Sequence, residues 1–327
     1  MSVSPQVVTL KNSNGLQTQI SNLGATILNL MVPDKNQNLV NVVVGLKDEQ
    51  EYVSDNYIEK GLYLGTTVGR WAGRITNGKF KIGEEQFNLY SENGVHLHGG
   101  KEGFDKKYWN IDKVSQSLVK LSYLSKDLEE GFPGNLKVTV TYELTDSNEL
   151  KIDYRATTDK ITPVNLTNHA YFNLDGEGSI LNHQLEIKSD KYVELDEKLL
   201  VTGKLIETKN TSYDFNIKSE IGKRNFKGLD DIFILSANNN THSVSLSSPN
   251  TGIEMSVITN QPTLVIYTPV QLPELPYKDN VSFTKFSAIC FEAEGYPDAV
   301  NQPEFPSALL SPNETYHNKI VFKFLVK

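Results

Sequence analysis

The chain has 327 residues, of which 38% are hydrophobic and 22% are charged, a composition typical of a globular protein with a sizeable core. Its formal net charge of -8 argues against non-specific binding to nucleic acid or to an anionic membrane, because both need a basic face. The single cysteine, Cys290, excludes an intramolecular disulfide. We recognise no signal peptide and no apolar stretch of membrane-spanning length, so we expect a cytoplasmic protein.

Apolar and polar residues alternate with a period of two along the chain, which predicts β-strands. In chain order the clearest runs are QVVTL near Val7, LVNVVVGL near Val42, GKFKIGEEQFNL near Phe80, KVTVTYEL at 137–144, LKIDY at 150–154, the two halves of 243–259 on either side of PNTG, and KIVFKFLV at the end. Only DEQEYV near Glu51 suggests a short helix. We therefore predict an all-β, two-sheet sandwich in one domain over residues 1–327.

The motif VGRWAGRI carries two arginines four residues apart, Arg70 and Arg74, each preceded by a glycine. The planar guanidinium group presents a fork of donors that can clamp sugar hydroxyls or carboxylates. Taken alone, the motif is also typical of two surface arginines, and both interpretations stay open at this point.

The motif HLHGG places His96 and His98 on one face if it lies in a strand, since side chains alternate. Two histidines on one face suit a metal, and together with Glu102 they resemble the metal-binding motif of cupins. The glycine-framed histidine that cupins carry further along the chain is absent here. The glycines that follow, Gly99 and Gly100, allow backbone or ligand to approach closely. Two unrelated histidines at a polar strand end are the alternative.

Three motifs in the second half of the chain carry further candidates. His169 lies in NLTNHAYFNL, among apolar and aromatic residues, and is either a core histidine or a general acid. Paired aspartates, as in KGLDDI, are typical of a turn. AICFEAEGYPDAVN places Glu292 and Glu294 on one face of an apolar strand. Carboxylates cost free energy in such a strand unless they are paired or solvated, which favours a functional role.

As an ordered set, GRWAGRI, HLHGG followed by GFDK, NLTNHAYFNL, GLDD, TNQP and FEAEGYPDAVNQPEFP resemble the aldose 1-epimerases, also called galactose mutarotases. The resemblance extends from about Gly61 to the C-terminus. It implies the large antiparallel β-sandwich of that family, with little helix. It also implies an isomerase that interconverts the α and β anomers of free hexoses, such as galactose and glucose, without a metal or a cofactor.

The resemblance further implies the roles of individual residues. Glu292 matches the general base and His169 the general acid of the family. The positions that match its sugar-binding residues are Arg74, His98, Asp230 and Gln261. On this interpretation HLHGG is a sugar-binding strand end whose glycines admit the ligand, and not a metal site.

Three positions depart from the family pattern. Gly73 replaces an asparagine, Asp231 replaces a histidine, and Glu294 replaces a glutamine, which adds negative charge near the base. Two alternatives remain open. A hexose 6-phosphate 1-epimerase would need a basic patch, for which the lysines of KEGFDKK, Lys101, Lys106 and Lys107, are candidates. A non-catalytic sugar-binding protein would need neither the base nor the acid.

Overall fold

Strands make up most of the regular structure in the computed structural model, which describes residues 5–222, 226–235 and 242–327. The strands within these residues are β1 (Val7–Lys11), β2 (Gln17–Ser21), β3 (Thr26–Pro33), β4 (Leu39–Asn41), β5 (Thr67–Val68), β6 (Arg74–Thr76), β7 (Lys79–Ile82), β8 (Glu85–Asn88), β9 (Val95–Leu97), β10 (Asn110–Val114), β11 (Leu118–Ser125), β12 (Leu136–Leu144), β13 (Glu149–Thr158), β14 (Thr162–Pro163), β15 (Thr167–Asn168), β16 (Tyr171–Phe172), β17 (Gln184–Ile187), β18 (Lys191–Leu195), β19 (Val201–Glu207), β20 (Ser219–Glu220), β21 (Asp230–Ile234), β22 (His242–Ser247), β23 (Ile253–Thr259), β24 (Thr263–Tyr267), β25 (Ile289–Glu294), β26 (Leu309–Leu310) and β27 (Tyr316–Val326).

Helical structure is sparse in the described part of the chain. It consists of one α-helix, α1 (Asp55–Ile58), and four short 3-10 helices (Glu49–Val53, Phe104–Lys106, Glu129–Gly131 and Lys278–Asn280). The first 3-10 helix confirms the helical turn predicted from DEQEYV, and the Asp48 side chain caps it by accepting a hydrogen bond from the backbone of Gln50. None of the described helices is long and apolar enough to cross a bilayer.

Two large sheets carry the fold. A nine-stranded sheet has the order β10-β11-β12-β13-β27-β23-β22-β17-β20, and a six-stranded sheet has the order β16-β25-β24-β21-β18-β19. A four-stranded sheet, β1 to β4, and four two-stranded pairs complete the pairing in the described residues. Every pairing between these strands is antiparallel. The all-β, antiparallel prediction is confirmed.

The core lies between the two large sheets. Phe172 of β16 packs against Phe322 of β27, with ring centroids 4.7 Å apart, and against Phe291 of β25 at 6.1 Å. These rings belong to one continuous cluster of buried apolar side chains that includes residues of both sheets. Burial of this apolar surface is the main favourable contribution to folding of such a sandwich.

Most of the strands predicted from alternation are present. One differs in extent: LVNVVVGL predicted a strand near Val42, but β4 ends at Asn41. Val42 and Val43 are buried. The backbone N–H of Val42 donates to the carbonyl oxygen of Leu30, and Val43 forms an isolated β-bridge with Phe172. Three consecutive valines favour a strand by propensity, but propensity does not reveal that the chain leaves one sheet here and passes to another.

Candidate active site

Five side chains predicted to form a sugar site line one cavity of about 270 Å³. They come from five different parts of the chain. The five are Arg74 (start of β6), His98 (just after β9), His169 (just after β15), Asp230 (start of β21) and Glu292 (in β25). Each lies in a strand of the fold or at its end, so their positions relative to one another are fixed by strand pairing rather than by a long loop.

Strand β25 places the carboxylates in the cavity. Ile289, Phe291 and Ala293 face the core between the sheets, and the alternate residues face the other way. Glu292 and Glu294 therefore lie on the same face, and both line the cavity. All six residues of the strand are buried, so these carboxylates are withdrawn from bulk water.

Glu292 and His169 form the centre of the site. The Oε1 atom of Glu292 lies 3.5 Å from Nε2 of His169, and their side chains are only 3% and 5% exposed. The ring of His169 stacks between Tyr171, with centroids 5.0 Å apart, and Tyr63 at 5.8 Å. The aromatic contacts fix the plane of the imidazole, so that one nitrogen stays directed at the carboxylate.

Burial favours the neutral form of both groups. It raises the pKa of Glu292 to about 8, with a further contribution from the nearby Asp230 charge and an opposing one from Arg74. Burial lowers the pKa of His169 to about 4. Near neutral pH, and with no ligand bound, the pair therefore holds one proton, located on the carboxyl group. Transfer of that proton to the imidazole converts the pair into a carboxylate base and an imidazolium acid.

Arg74 and Asp230 lie nearer the solvent. Their side chains are 27% and 31% exposed, and Nη2 of Arg74 is 3.5 Å from Oδ2 of Asp230. An ion pair this exposed contributes little to stability, so its donors and acceptors are available to a ligand. Asp230 is held by the pairing of β21 with β24, in which it lies opposite Tyr267, another residue of the cavity wall.

Arg70 does not support the site, contrary to what its motif suggested. Its side chain is buried, and its guanidinium donates to the carbonyl oxygens of Pro133 and Gly134, both at 3.0 Å, and to the hydroxyl of Ser125 at 2.6 Å. Burial lowers the pKa of Arg70 to about 10. The two arginines of one motif thus differ in role: Arg70 anchors the segment, and only Arg74 lines the cavity.

The two histidines of HLHGG also separate, and the prediction that they share a face is wrong. The strand ends at Leu97, and His98 has a left-handed backbone with φ of 48°. His98 therefore reaches the cavity, where its Nδ1 accepts a hydrogen bond from the backbone of Gly73 at 3.2 Å. His96 instead contacts Phe132 and the carbonyl of Tyr90. Because Nδ1 of His98 is an acceptor, Nε2 carries the hydrogen of the neutral ring.

The glycines after His98 serve the fold and not the ligand. A Cβ on Gly99 would collide with the carbonyl oxygen of Gly69, and a Cβ on Gly100 would collide with the carboxylate of Glu130. Both have positive φ angles, near 90°, that favour glycine. Neither lines the cavity, so the expectation that they admit the sugar is corrected: they admit neighbouring protein atoms.

Gln261 does not join the other predicted residues. It lies in the turn before β24 and does not line the cavity. Its side-chain amide donates to the side chain of Asn260 and to the carbonyl oxygen of His317, both at 3.1 Å. The match of TNQP to a family motif therefore does not place this side chain at the site, because its amide is directed toward the neighbouring β27 strand.

The three departures from the family pattern have different locations. Gly73 and Glu294 line the cavity. Asp231 does not, since alternation along β21 turns it away from Asp230, whose backbone N–H it accepts at 3.1 Å. Burial raises the pKa of Asp231 to about 6. The residue at 231 therefore contacts the backbone of Asp230 without lining the cavity, whereas the residues at 73 and 294 are part of the cavity wall.

Several wall residues were missed by the sequence reasoning. Tyr63, Tyr171 and Tyr267 surround His169. Leu199, from the β18–β19 connection, and Val201, at the start of β19, also line the cavity. Tyr171 carried a signal, since it lies in the same NLTNHAYFNL motif as His169. Tyr63 and Leu199 carried none: each lies in an irregular segment and has a positive φ angle that no periodic pattern reveals.

One group of side chains in the described residues has the spacing to hold a metal ion. Donor atoms of His98, His169 and Glu292 all lie within 4.8 Å of one another. The group differs from the one considered in the sequence, because His96 and Glu102 are not part of it. Two imidazoles and a carboxylate are a donor set used by zinc and by iron, so metal independence remains a prediction that needs a direct test.

Comparison with known proteins adds independent information. The family model described as aldose 1-epimerase matches residues 6–323. The galactose mutarotase of Bos taurus is 39% identical over 323 residues, which cover 96% of this chain and 92% of that protein. The aldose 1-epimerase of Haemophilus influenzae is 38% identical over 333 residues, which cover 98% and 95%. Among solved structures, an aldose epimerase homologue from C. elegans aligns with a TM-score of 0.92 at 28% identity, covering 99% of both chains.

Proposed function

Because this chain belongs to the aldose 1-epimerase family and interconverts the α and β anomers of hexoses, we propose that Glu292 and His169 move the two protons of that reaction. The contact of 3.5 Å between the two side chains, inside a cavity that also contains Arg74, His98 and Asp230, is the observation that carries the proposal. Glu292 is the general base and His169 the general acid.

A cyclic aldose changes anomer by opening and reclosing its ring. Opening takes a proton from the C1 hydroxyl and supplies one to the ring oxygen. The Glu292–His169 pair holds a single proton near neutral pH, because burial raises the pKa of the first and lowers that of the second. With that proton on His169, Glu292 accepts the C1 proton while His169 protonates the ring oxygen. Reclosure reverses both transfers, and each positioned group contributes on the order of 10²–10⁴ in rate.

The remaining polar residues hold the sugar while C1 turns. Before the ring recloses on its other face, the aldehyde must rotate about the C1–C2 bond, so the rest of the sugar has to stay in place. Arg74 and Asp230 offer donors and acceptors near the cavity mouth, and His98 offers a neutral N–H. Burial first, and then the charges of His169, Arg74 and His96, lower the pKa of His98, which keeps it a neutral donor and not a second acid.

A free hexose suits this cavity better than a hexose 6-phosphate. The wall contains the carboxyl groups of Asp230, Glu292, Glu294 and Asp298, against the cations Arg74 and Lys60. The lysines of KEGFDKK do not add to the cations, because Lys106 donates to the carbonyl of Lys101 and Lys107 pairs with Glu102. A dianionic phosphate would compete with Asp230 for Arg74, whereas neutral hydroxyls pair well with carboxyl groups and imidazoles.

Polarimetry of freshly dissolved α-glucose, α-galactose and α-glucose 6-phosphate tests this proposal. We expect the protein to accelerate mutarotation of the two free sugars, with a kcat/KM at least about 10-fold above that for the phosphate. A higher value for glucose 6-phosphate would favour the phosphorylated substrate and leave the acid–base pair unchanged. Binding of the free sugars without any acceleration would favour the non-catalytic alternative.

A further inference from the structure

The second carboxylate of β25, Glu294, has no function in the acid–base mechanism, yet it is buried and lines the cavity. Neither of its carboxylate oxygens has a hydrogen-bond partner within the described residues. A buried polar group without a partner destabilises the fold, and does so more if it is charged. Glu294 lies two residues after the base, Glu292. Its unpaired oxygens so close to the reacting groups point to a hydrogen-bond partner on the ligand.

Gly73 explains why the protein itself does not satisfy Glu294. A Cβ added at Gly73 would lie 3.3 Å from Oε1 of Glu294 and 3.2 Å from Cβ of Pro297. Any side chain at position 73 would therefore close over the carboxylate. Because Gly73 has none, and itself lines the cavity, one oxygen of Glu294 stays open to whatever occupies that space.

The backbone of Glu294 is held firmly, so its side chain is preorganised. Its carbonyl oxygen accepts a hydrogen bond from the hydroxyl of Thr263 at 2.8 Å, and the two residues lie opposite each other in the pairing of β24 with β25. The next residue, Gly295, donates its N–H to Asn165 at 2.8 Å. A side chain on such a frame binds a ligand with little loss of conformational entropy.

We propose that Glu294 is a specificity-determining residue that accepts a hydrogen bond from a sugar hydroxyl other than the one at C1, in a subsite opened by Gly73. The inference rests on the proposed function, because it takes the C1 hydroxyl to lie at Glu292. The Cα atoms of residues two apart in a strand are about 6.6–6.8 Å apart, so Glu292 and Glu294 offer two separate carboxyl groups along the cavity wall. A sugar held at C1 by Glu292 therefore offers a different hydroxyl to Glu294.

Two substitutions and a set of monodeoxy sugars test this assignment. In Glu294→Ala the acceptor is lost, so KM for glucose should rise about 10-fold or more while kcat changes less than about 3-fold. Glu294→Gln keeps the size and one acceptor oxygen, and should recover most of the lost affinity. The same three proteins are assayed by polarimetry with 2-, 3-, 4- and 6-deoxyglucose. For the one analogue that lacks the bound hydroxyl, the wild type and Glu294→Ala should have the same KM.

If Glu294 served only to stabilise the fold, Glu294→Gln would lower the melting temperature, whereas the proposed ligand-binding role predicts no such decrease. Since Glu294 is an unpaired buried acid, Glu294→Gln should melt at the same temperature as the wild type or higher. An unchanged KM in Glu294→Ala, an equal penalty with every deoxy sugar, or a Glu294→Gln variant as impaired as Glu294→Ala would each overturn the assignment. If the wild type itself does not accelerate mutarotation, the proposed function fails first, and the two failures are thereby distinguished.

Discussion

The strand pair β12–β13 and the strand β25 share the same alternation of side chains but differ in what their second face contacts. In β12 and β13 of the nine-stranded sheet, residues such as Val140 and Ile152 are buried, while their neighbours on the other face are at least partly exposed. In β25 of the six-stranded sheet both faces are buried, and Glu292 and Glu294 occupy the second one. The period-two pattern is the same, but only tertiary packing decides whether the polar face meets water or a closed cavity.

The two regions also differ in how their polar groups are satisfied. In the first, the hydroxyl of Tyr142 donates to the carbonyl of Ala25 at 2.6 Å, and that of Tyr154 donates to Thr167 at 3.3 Å. In the second, Oε2 of Glu292 and both oxygens of Glu294 lack partners among the described residues. Buried polar groups are nearly always paired in folded proteins, so the unpaired carboxyl oxygens that line this cavity are available to a ligand.

The largest effect is expected from Glu292→Gln, which keeps the shape and removes the basicity. We expect kcat to fall at least about 10²-fold. The Glu292→Gln variant should be more stable than the wild type at pH 7. In the wild type the pKa of the Glu292 carboxyl is raised in the folded state, so the folded protein loses stability as pH increases from 4.5 toward 8. Polarimetry and thermal melts at pH 4.5 and pH 7 measure both. Near wild-type turnover would move the base elsewhere, with Glu294 as the first suspect.

His169→Asn should have the next largest effect. It removes proton donation, which matters only in the transition state, so kcat should fall by about 10²-fold and KM should change much less. Steady-state kinetics over a range of sugar concentrations separate the two parameters. A variant in which only KM changes would make His169 a binding residue and leave the general acid unassigned.

Ile152→Ala tests whether a substitution in the core changes stability without changing activity. Ile152 is fully buried opposite Tyr142, and its truncation should lower the free energy of unfolding by about 2–5 kcal/mol. Since Ile152 does not line the cavity, kcat per folded molecule should stay unchanged. Lys137→Ala, on the exposed face of β12, is the matched control and should change stability by less than about 0.5 kcal/mol. A loss of kcat in Ile152→Ala would show that the two sheets are functionally coupled.

The pH dependence of kcat/KM should be bell-shaped. The reaction needs one acid and one base, which the Glu292–His169 pair provides only while it holds a single proton. Below about pH 4 the pair gains a second proton and loses its base, and above about pH 8 it loses its only proton and with it the acid. Each limb should fall about tenfold per pH unit. Activity that still increases above pH 9 would contradict the assignment of the pair.

The smallest effect is expected from a metal chelator. His98, His169 and Glu292 have the spacing of a metal site, but acid–base opening of the sugar ring needs no Lewis acid. Activity should be unchanged after prolonged incubation with EDTA followed by gel filtration. Loss of activity that zinc or manganese restores would show that these three side chains act as metal ligands and would replace the mechanism proposed above.

The sequence predicted the fold class well, because alternation is a local property and the strands are rich in β-branched and aromatic residues. It also grouped Arg74, His98, His169, Asp230 and Glu292, which line one cavity, although their roles are still predictions. That grouping came from the family resemblance, since these residues are far apart in the chain. Local patterns did not reveal Tyr63 or Leu199, because irregular segments have no periodicity.

By itself, then, the sequence determined that the chain forms strands and that two glutamates lie on one face of an otherwise apolar strand, because side-chain direction follows from backbone geometry alone. The tertiary structure alone decided which polar groups stay unpaired. It satisfied Arg70 with carbonyl oxygens, turned the amide of Gln261 away, and left Glu294 open beside Gly73. Hydrogen-bond satisfaction depends on which distant segments meet, and that is fixed only when the sheets pack.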